Sequence, residues 1–259
     1  MERGIDFVLT IILLCVAGFV AAFVDSIAGG GGLISLPAFL AAGIPPHLSL
    51  GTNKLASTTA SCTSSIKYVQ SDKANPEVLK YLIPCTLLGA ALGVNAVLSI
   101  EQKYLYAMVL FLILGVGLYS IFSKSIGQTD RYQGINKWKI TFGILLAFIL
   151  GFYDGFFGPG TGSFLLFGLV KIFGFDFVRA GGNARVLNFV SNITALVLFA
   201  IHRQINYYYG LPVAVAMFFG ARLGTKLALT RGVKVVKPIF ITMSLAVAVK
   251  MLLNLLKIS

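Results

Sequence analysis

The sequence predicts an all-α polytopic membrane protein made of two repeated halves, its helices broken at glycine-rich tracts. Three observations carry that expectation. Of 259 residues, 57% are hydrophobic and only 12% charged, with a mean hydropathy of +0.88, whereas a soluble domain carries about 25% charged residues. Uncharged apolar stretches recur at 7–24, 81–100, 104–122, 140–153, 186–201, 205–221 and 239–249, several of them near the roughly 20 residues that cross a bilayer as helix. Three short motifs also return in the same order in the second half of the chain. Because lipid offers the backbone no hydrogen-bond partners, apolar segments this continuous read as a helical bundle.

The first stretch reads as a first span. Its leading MERGID is balanced in charge, the apolar run outlasts a signal-peptide core, and no small-x-small cleavage site precedes a soluble domain. The longest polar stretch is 123–139, so the whole chain is expected to be one membrane unit.

The repeats set the organisation. GTNKLAST at 51–58 is echoed from 182 by GNARVLNF at a spacing of 131, and GAALG at 89–93 recurs at that spacing as GARLG at 220–224. Upstream, VDSIAGGGG at 24–32 parallels YDGFFGPGTG at 153–162, with Asp25 and Asp154 each four residues before a glycine tract. The chain therefore divides into a first membrane repeat (1–123), a linker loop (124–138) and a second repeat (139–259).

A net charge of +12 would suggest nucleic acid in a soluble protein, but here the distribution of charge decides otherwise. If the short segments near 33–43 and 162–170 also cross, giving ten segments, fourteen of the 21 Lys and Arg fall on one side and five on the other, leaving Lys54 and Arg185. By the positive-inside rule the linker is then cytoplasmic and both termini lie outside. If the short segments are re-entrant and eight helices span, the count is nearly even. The ten-segment path is preferred. The expected partners are the lipid bilayer and a small anion, not nucleic acid.

Five segments per half make the second copy enter from the opposite side, the inverted repeat of many secondary transporters. Each glycine tract then breaks the chain just before a short apolar helix whose first N–H groups lack partners, and such ends hold anions. Gly29, Gly30, Gly31 and Gly32 in the first tract and Gly158, Gly160 and Gly162 in the second are candidate contacts. The competing reading is close helix packing, which we assign to GAALG and GARLG at their four-residue spacing. Neither tract is a nucleotide loop, since the Lys-Ser/Thr ending and the preceding strand are missing.

Beyond each tract lies a basic residue in a polar segment. Lys54, Ser57 and Ser61 share one helical face, and the second copy places Arg185, Asn188 and Asn192 in the same positions; Thr52, Asn53 and Asn183 adjoin the cations. A cation with hydrogen-bonding side chains on matched faces makes an anion cage. The alternative is that the cations snorkel to headgroups. Asp25 and Asp154 are the acids well inside apolar stretches. Each is read first as tying down its glycine turn or neutralising Lys54 or Arg185, and second as a proton-coupling carboxylate.

Cys15, Cys62 and Cys85 have no redox or metal spacing and read as reduced packing residues, with Cys62 in the polar segment a secondary candidate for contact with a sulfur substrate. His47 and His202 sit at segment ends, and Trp138 with Tyr207, Tyr208 and Tyr209 fits interfacial anchors. No cofactor or metal is called for.

VDSIAGGGGLISLPAFLAAG, TNKLAST, RVLNFVSNITAL and FFGARLGTKLAL resemble the TauE/SafE family of membrane permeases, also called the sulfite exporter or TSUP family, in its YfcA-like branch. The resemblance runs over nearly the whole chain. It implies a transporter of the bacterial plasma membrane that exports small sulfur-containing or organic anions such as sulfite or sulfoacetate, in two repeated halves with about eight spans. Pro159 and Thr161 interrupt the glycines of the second tract, a departure from the first. Against secondary transport stand two other classes: an anion channel sharing the same site, and a membrane enzyme, for which no nucleophile and base occur at a working spacing.

Overall fold

The computed structural model describes residues 2–105, 108, 111–112 and 129–231. Eight helices form among these residues: α1 (Glu2–Ala28), α2 (Gly32–Ala41), α3 (Pro46–Gln70), α4 (Pro76–Leu98), α5 (Lys137–Phe156), α6 (Thr161–Phe173), α7 (Phe177–Ile201) and α8 (Tyr207–Arg231). Five of them, α1, α4, α5, α7 and α8, are long and apolar enough to cross a membrane. Most of 104–122, residues 124–128 of the linker, and the C-terminal stretch with 239–249 lie outside the described residues.

The boundaries follow from local chemistry. Gly29 and Gly30 take φ of +86° and +87°, a left-handed conformation that ends α1 and that a residue with a Cβ resists. Pro45 and Pro46 open α3, since proline is preset for a first helical turn. Asn75, Asn136 and Asp176 cap α4, α5 and α7, their side-chain oxygens accepting from Val78 N (3.3 Å), Lys139 N (2.8 Å) and Arg179 N (2.8 Å). The sequence pattern places the start of the fourth helix at 81, whereas the cap and Pro76 start it earlier, because apolarity marks lipid contact rather than helix length.

Glycines on one helix seat the backbone of the next. A Cβ at Gly89 or Gly93 on α4 would overlap the carbonyl oxygens of Phe148 or Phe152 on α5; one at Gly220 or Gly224 on α8 would overlap those of Phe19 or Phe23 on α1. Both pairs of helices therefore run parallel and in close contact, as small-residue spacing allows. The packing assigned to GAALG and GARLG from sequence is what the helices do. Gly93→Ala is expected to lower stability by about 1–3 kcal/mol through overpacking, read as a lower melting midpoint in detergent, while Leu92→Ala, 53% exposed on the same helix, changes it little.

α3 and α7 run in opposite directions. Gly51 at the start of α3 abuts the Gln204 carbonyl just past the end of α7, while Ser65 Oγ near the end of α3 donates to the Arg185 carbonyl near the start of α7 (2.8 Å). α8 runs with α3, since Asn206 N donates to Thr52 Oγ1 (2.9 Å) and Gly210 packs on Leu55. The polar residues of α3 thus face other helices: Thr52, Asn53, Lys54, Ser61 and Ser64 are buried. A 25-residue helix too polar to be recognised as a span is enclosed by more apolar ones.

The same contacts sort the basic residues. Gly182 packs on the Lys73 carbonyl, Asn75 N donates to Asn183 Oδ1, and Arg131 N donates to the Gly174 carbonyl, so the end of α3 and the starts of α4, α5 and α7 gather at one end of the bundle. Lys67, Lys73, Lys80, Arg131, Lys137 and Arg179 lie there, as do Arg222, Lys226 and Arg231 toward the end of α8. Lys103 and Arg203 follow the ends of α4 and α7 at the opposite end.

Candidate functional site: two broken helices and two buried ion pairs

The glycine tracts of the two halves meet in the centre of the bundle. Gly29 packs on the backbone of Gly162 and Ser163, and a Cβ at Gly32 would stand 3.0 Å from Pro159 Cα, so the N-termini of α2 and α6 abut. Gly31 lies against the Ala21 carbonyl and Asp25 Cβ. These glycines are therefore required first by the protein's own close packing, and ligand approach comes second. Gly31 N donates to Asp25 Oδ1 (3.0 Å), so one expected free donor is already engaged. Among the described residues the N–H groups of Gly30, Gly32, Gly160 and Gly162 have no hydrogen-bond acceptor.

Each cation pairs with an acid from the other half of the chain. Lys54 Nζ on α3 donates to Asp154 Oδ2 on α5 (2.9 Å) and to Asn192 Oδ1 on α7 (2.9 Å), and Ser191 Oγ donates to the same carboxylate oxygen (2.6 Å). Arg185 Nη1 on α7 pairs with Asp25 Oδ2 on α1. Lys54, Asp154 and Arg185 are almost wholly buried, whereas the Asp25 side chain keeps 22% of its surface exposed. Neither cation reaches out to headgroups. Desolvating a charge costs several kcal/mol, which explains why each has a partner of opposite sign.

Between the tracts and the pairs lies a cavity of about 30 Å³, large enough to hold water. Gly31, Gly32, Gly158, Gly160 and Gly162 form its floor, and Asp25, Asn53, Lys54, Ser57, Asp154, Asn188 and Asn192 supply its polar walls. Ser61 stands behind the wall, its oxygen accepting from Asn192 Nδ2 (3.4 Å). Arg185 lies over Gly162, where a Cβ would stand 2.6 Å from Nη2. Two buried polar atoms here have no partner among the described residues: Arg185 Nη2 and Asn53 Oδ1. Arg185 is not among the residues that line the cavity; its unsatisfied donor lies against Gly162 at the N-terminus of α6, where an oxyanion would be the natural complement.

Other residues singled out from sequence are placed elsewhere. Thr52 receives the backbone of Asn206 and Asn183 that of Asn75, so both fasten helix ends. Gly29 and Gly30 shape the turn without lining the cavity. Cys62 faces a separate, largely apolar groove between α3, α7 and α8 and not the centre; its thiol is free, as are those of Cys15 and Cys85. His47 and His202 bond to the carbonyls of Val97 and Leu198. Ser191, which sequence reasoning passed over, is part of the Asp154 site.

Five helices long and apolar enough to cross a membrane, around broken helices and buried charge pairs, define a helical integral membrane protein, and comparison with known proteins narrows this to a family. The family described as Sulfite exporter TauE/SafE matches residues 14–251, and the chain belongs to it. It is 40% identical over 251 residues to a probable membrane transporter protein of Haemophilus influenzae, covering 97% of this chain and 96% of the relative. It is 37% identical to the probable membrane transporter protein ORF9 of a Sinorhizobium species, covering 92% and 91%. It is 34% identical to the probable membrane transporter protein YfcA of Escherichia coli K12, covering 95% and 92%. No solved structure matches.

Proposed function

We propose that this protein is a secondary transporter, an exporter of a small anion such as sulfite or an organosulfur or organic anion, working by alternating access between two inverted repeats in the bacterial inner membrane. The observation that carries the reading is the unpartnered Arg185 Nη2 beside two abutting helix N-termini. The two acids balance the two cations in formal charge. The helix N-termini then add about half a positive charge each, so the centre favours an anion even with both pairs made.

The repeat reading draws on the exchange of contacts. Glycines of α4 on α5 and glycines of α8 on α1 occupy equivalent positions, and Lys54–Asp154 and Arg185–Asp25 are the same bond with the halves swapped. The equivalent helices α3 and α7 run oppositely, as inverted halves require. α1 and α3 both run parallel to α8, so the short α2 between them has to run back, which favours ten segments over eight. The basic end of the bundle is then cytoplasmic.

Alternating access requires the cavity to open to one side and then to the other as the halves rock against each other. Families of relatives named as transporters support carriage rather than catalysis, and we assign no reaction to the site. Thermal unfolding of the purified protein against sulfite, sulfate, thiosulfate, sulfonates and carboxylates tests the reading. The substrate is expected to stabilise by about 2.7 kcal/mol at a hundredfold excess over Kd. Equal midpoints in every anion would contradict it.

A further inference from the structure

The two ion pairs are equivalent by position and unlike in chemistry. Lys54–Asp154 is held by two further groups from α7, Ser191 on the carboxylate and Asn192 on the ammonium, and although both members line the cavity, their side chains are no more than 3% exposed against 22% for Asp25. The spacing of 131 that relates Arg185 to Lys54 relates Ser191 to Ala60 and Asn192 to Ser61. Ala60 has no hydroxyl to give Asp25, and the Ser61 hydroxyl donates to the Ser57 and Thr58 carbonyls of its own helix. Asp25 thus holds Arg185 and Gly31 N only, faces the cavity, and leaves Arg185 Nη2 unbonded.

Building on the anion-transport reading above, we propose that the halves divide the work: Lys54–Asp154 is a permanent strut, and Asp25 is the one carboxylate that takes up a proton, handing Arg185 from itself to the transported anion. The proton comes from the solution on the side to which the cavity opens and converts the Asp25 carboxylate to a neutral carboxyl. Arg185, no longer bound to a charge, turns both faces of its guanidinium fork to the anion. Proton and anion cross together, one for one. On release the carboxylate re-forms and recaptures Arg185, which closes the empty site.

The surroundings are consistent with a single working acid. Charged and titratable groups facing the Asp25 region are Arg185 on α7, Lys54 and Tyr68 on α3, and Asp154 on α5; the N-cap of α2 contributes Gly31, and α6 and α8 contribute Gly162 and Met217. Lys54 is already committed to Asp154. Arg185 is left as the cation that protonation of Asp25 can set free.

The test uses the purified full chain with thiosulfate and methanesulfonate, whose own charge is constant between about pH 5 and 8. With one proton taken up for each anion bound, wild-type affinity is expected to fall about tenfold for each unit by which the pH is raised. Asp25→Asn removes that slope, whereas Asp154→Asn lowers the melting midpoint and keeps it. Ala60→Ser supplies the missing hydroxyl, stabilises the carboxylate and moves the loss of binding to lower pH by about one unit; it tests the proposal even if Asp25→Asn folds poorly. A slope that persists in Asp25→Asn, or that vanishes in Asp154→Asn, overturns the division of work while leaving the anion site standing. No binding of either anion to wild type at any pH overturns the anion site and this proposal together.

Discussion

Lys54→Gln is expected to destabilise the protein by about 3–5 kcal/mol, because it leaves the Asp154 carboxylate buried with its counter-charge gone. Asp154 is 2% exposed, and Ser191 alone cannot replace an ammonium. Asp154→Asn is expected to cost a similar amount by stranding Lys54. Adding Asp154→Asn to Lys54→Gln should recover most of the loss, since two neutral amides can hydrogen-bond where one charge cannot stand alone. The check is a double-mutant cycle on unfolding midpoints in detergent. Additive losses would mean that Lys54 and Asp154 do not act as a pair.

Arg185→Gln acts on binding. Truncating one partner of a buried charge contact costs a few kcal/mol, about a hundredfold in affinity. Asp25 tolerates the loss better than Asp154 would, because part of its surface reaches the cavity. Arg185→Lys is expected to weaken binding as well, since an ammonium is a compact point charge on a shorter reach and lacks the planar fork that lets Nη1 hold Asp25 while Nη2 is presented elsewhere. Lys73→Gln and Lys80→Gln, on exposed residues at the basic end of the bundle, serve as controls and should leave affinity nearly unchanged. Anion titration of the purified variants decides. Wild-type affinity in Arg185→Gln would move the binding site away from the ion pairs.

The sequence made the breaks in the helices, the paired acids and the two cations visible, because each is costly in a membrane and stands out against apolar neighbours. It did not show which acid meets which cation. That depends on α3 and α7 crossing in opposite directions, which brings Lys54 to the second half's acid and Arg185 to the first's. Thr52 and Asn183 were attractive because they stand beside the cations in both copies. Two residues along a helix is about 200° of rotation, so they point away from the centre and fasten neighbouring helix ends. Ser191 was overlooked for the opposite reason: a search for matched positions passes over a serine whose counterpart is Ala60. The glycines were legible as special, but their first role, letting two tracts from distant parts of the chain touch, needs the tertiary fold.

The most direct test of the central claim is exchange of labelled sulfite in liposomes holding the purified protein. Alternating access at a site containing Arg185 predicts that unlabelled sulfite inside the vesicles accelerates uptake of label from outside, that an outward sulfite gradient drives label inward against its own gradient, and that Arg185→Gln abolishes both. Uptake that is indifferent to internal sulfite and runs only down its gradient would contradict a carrier and identify a channel.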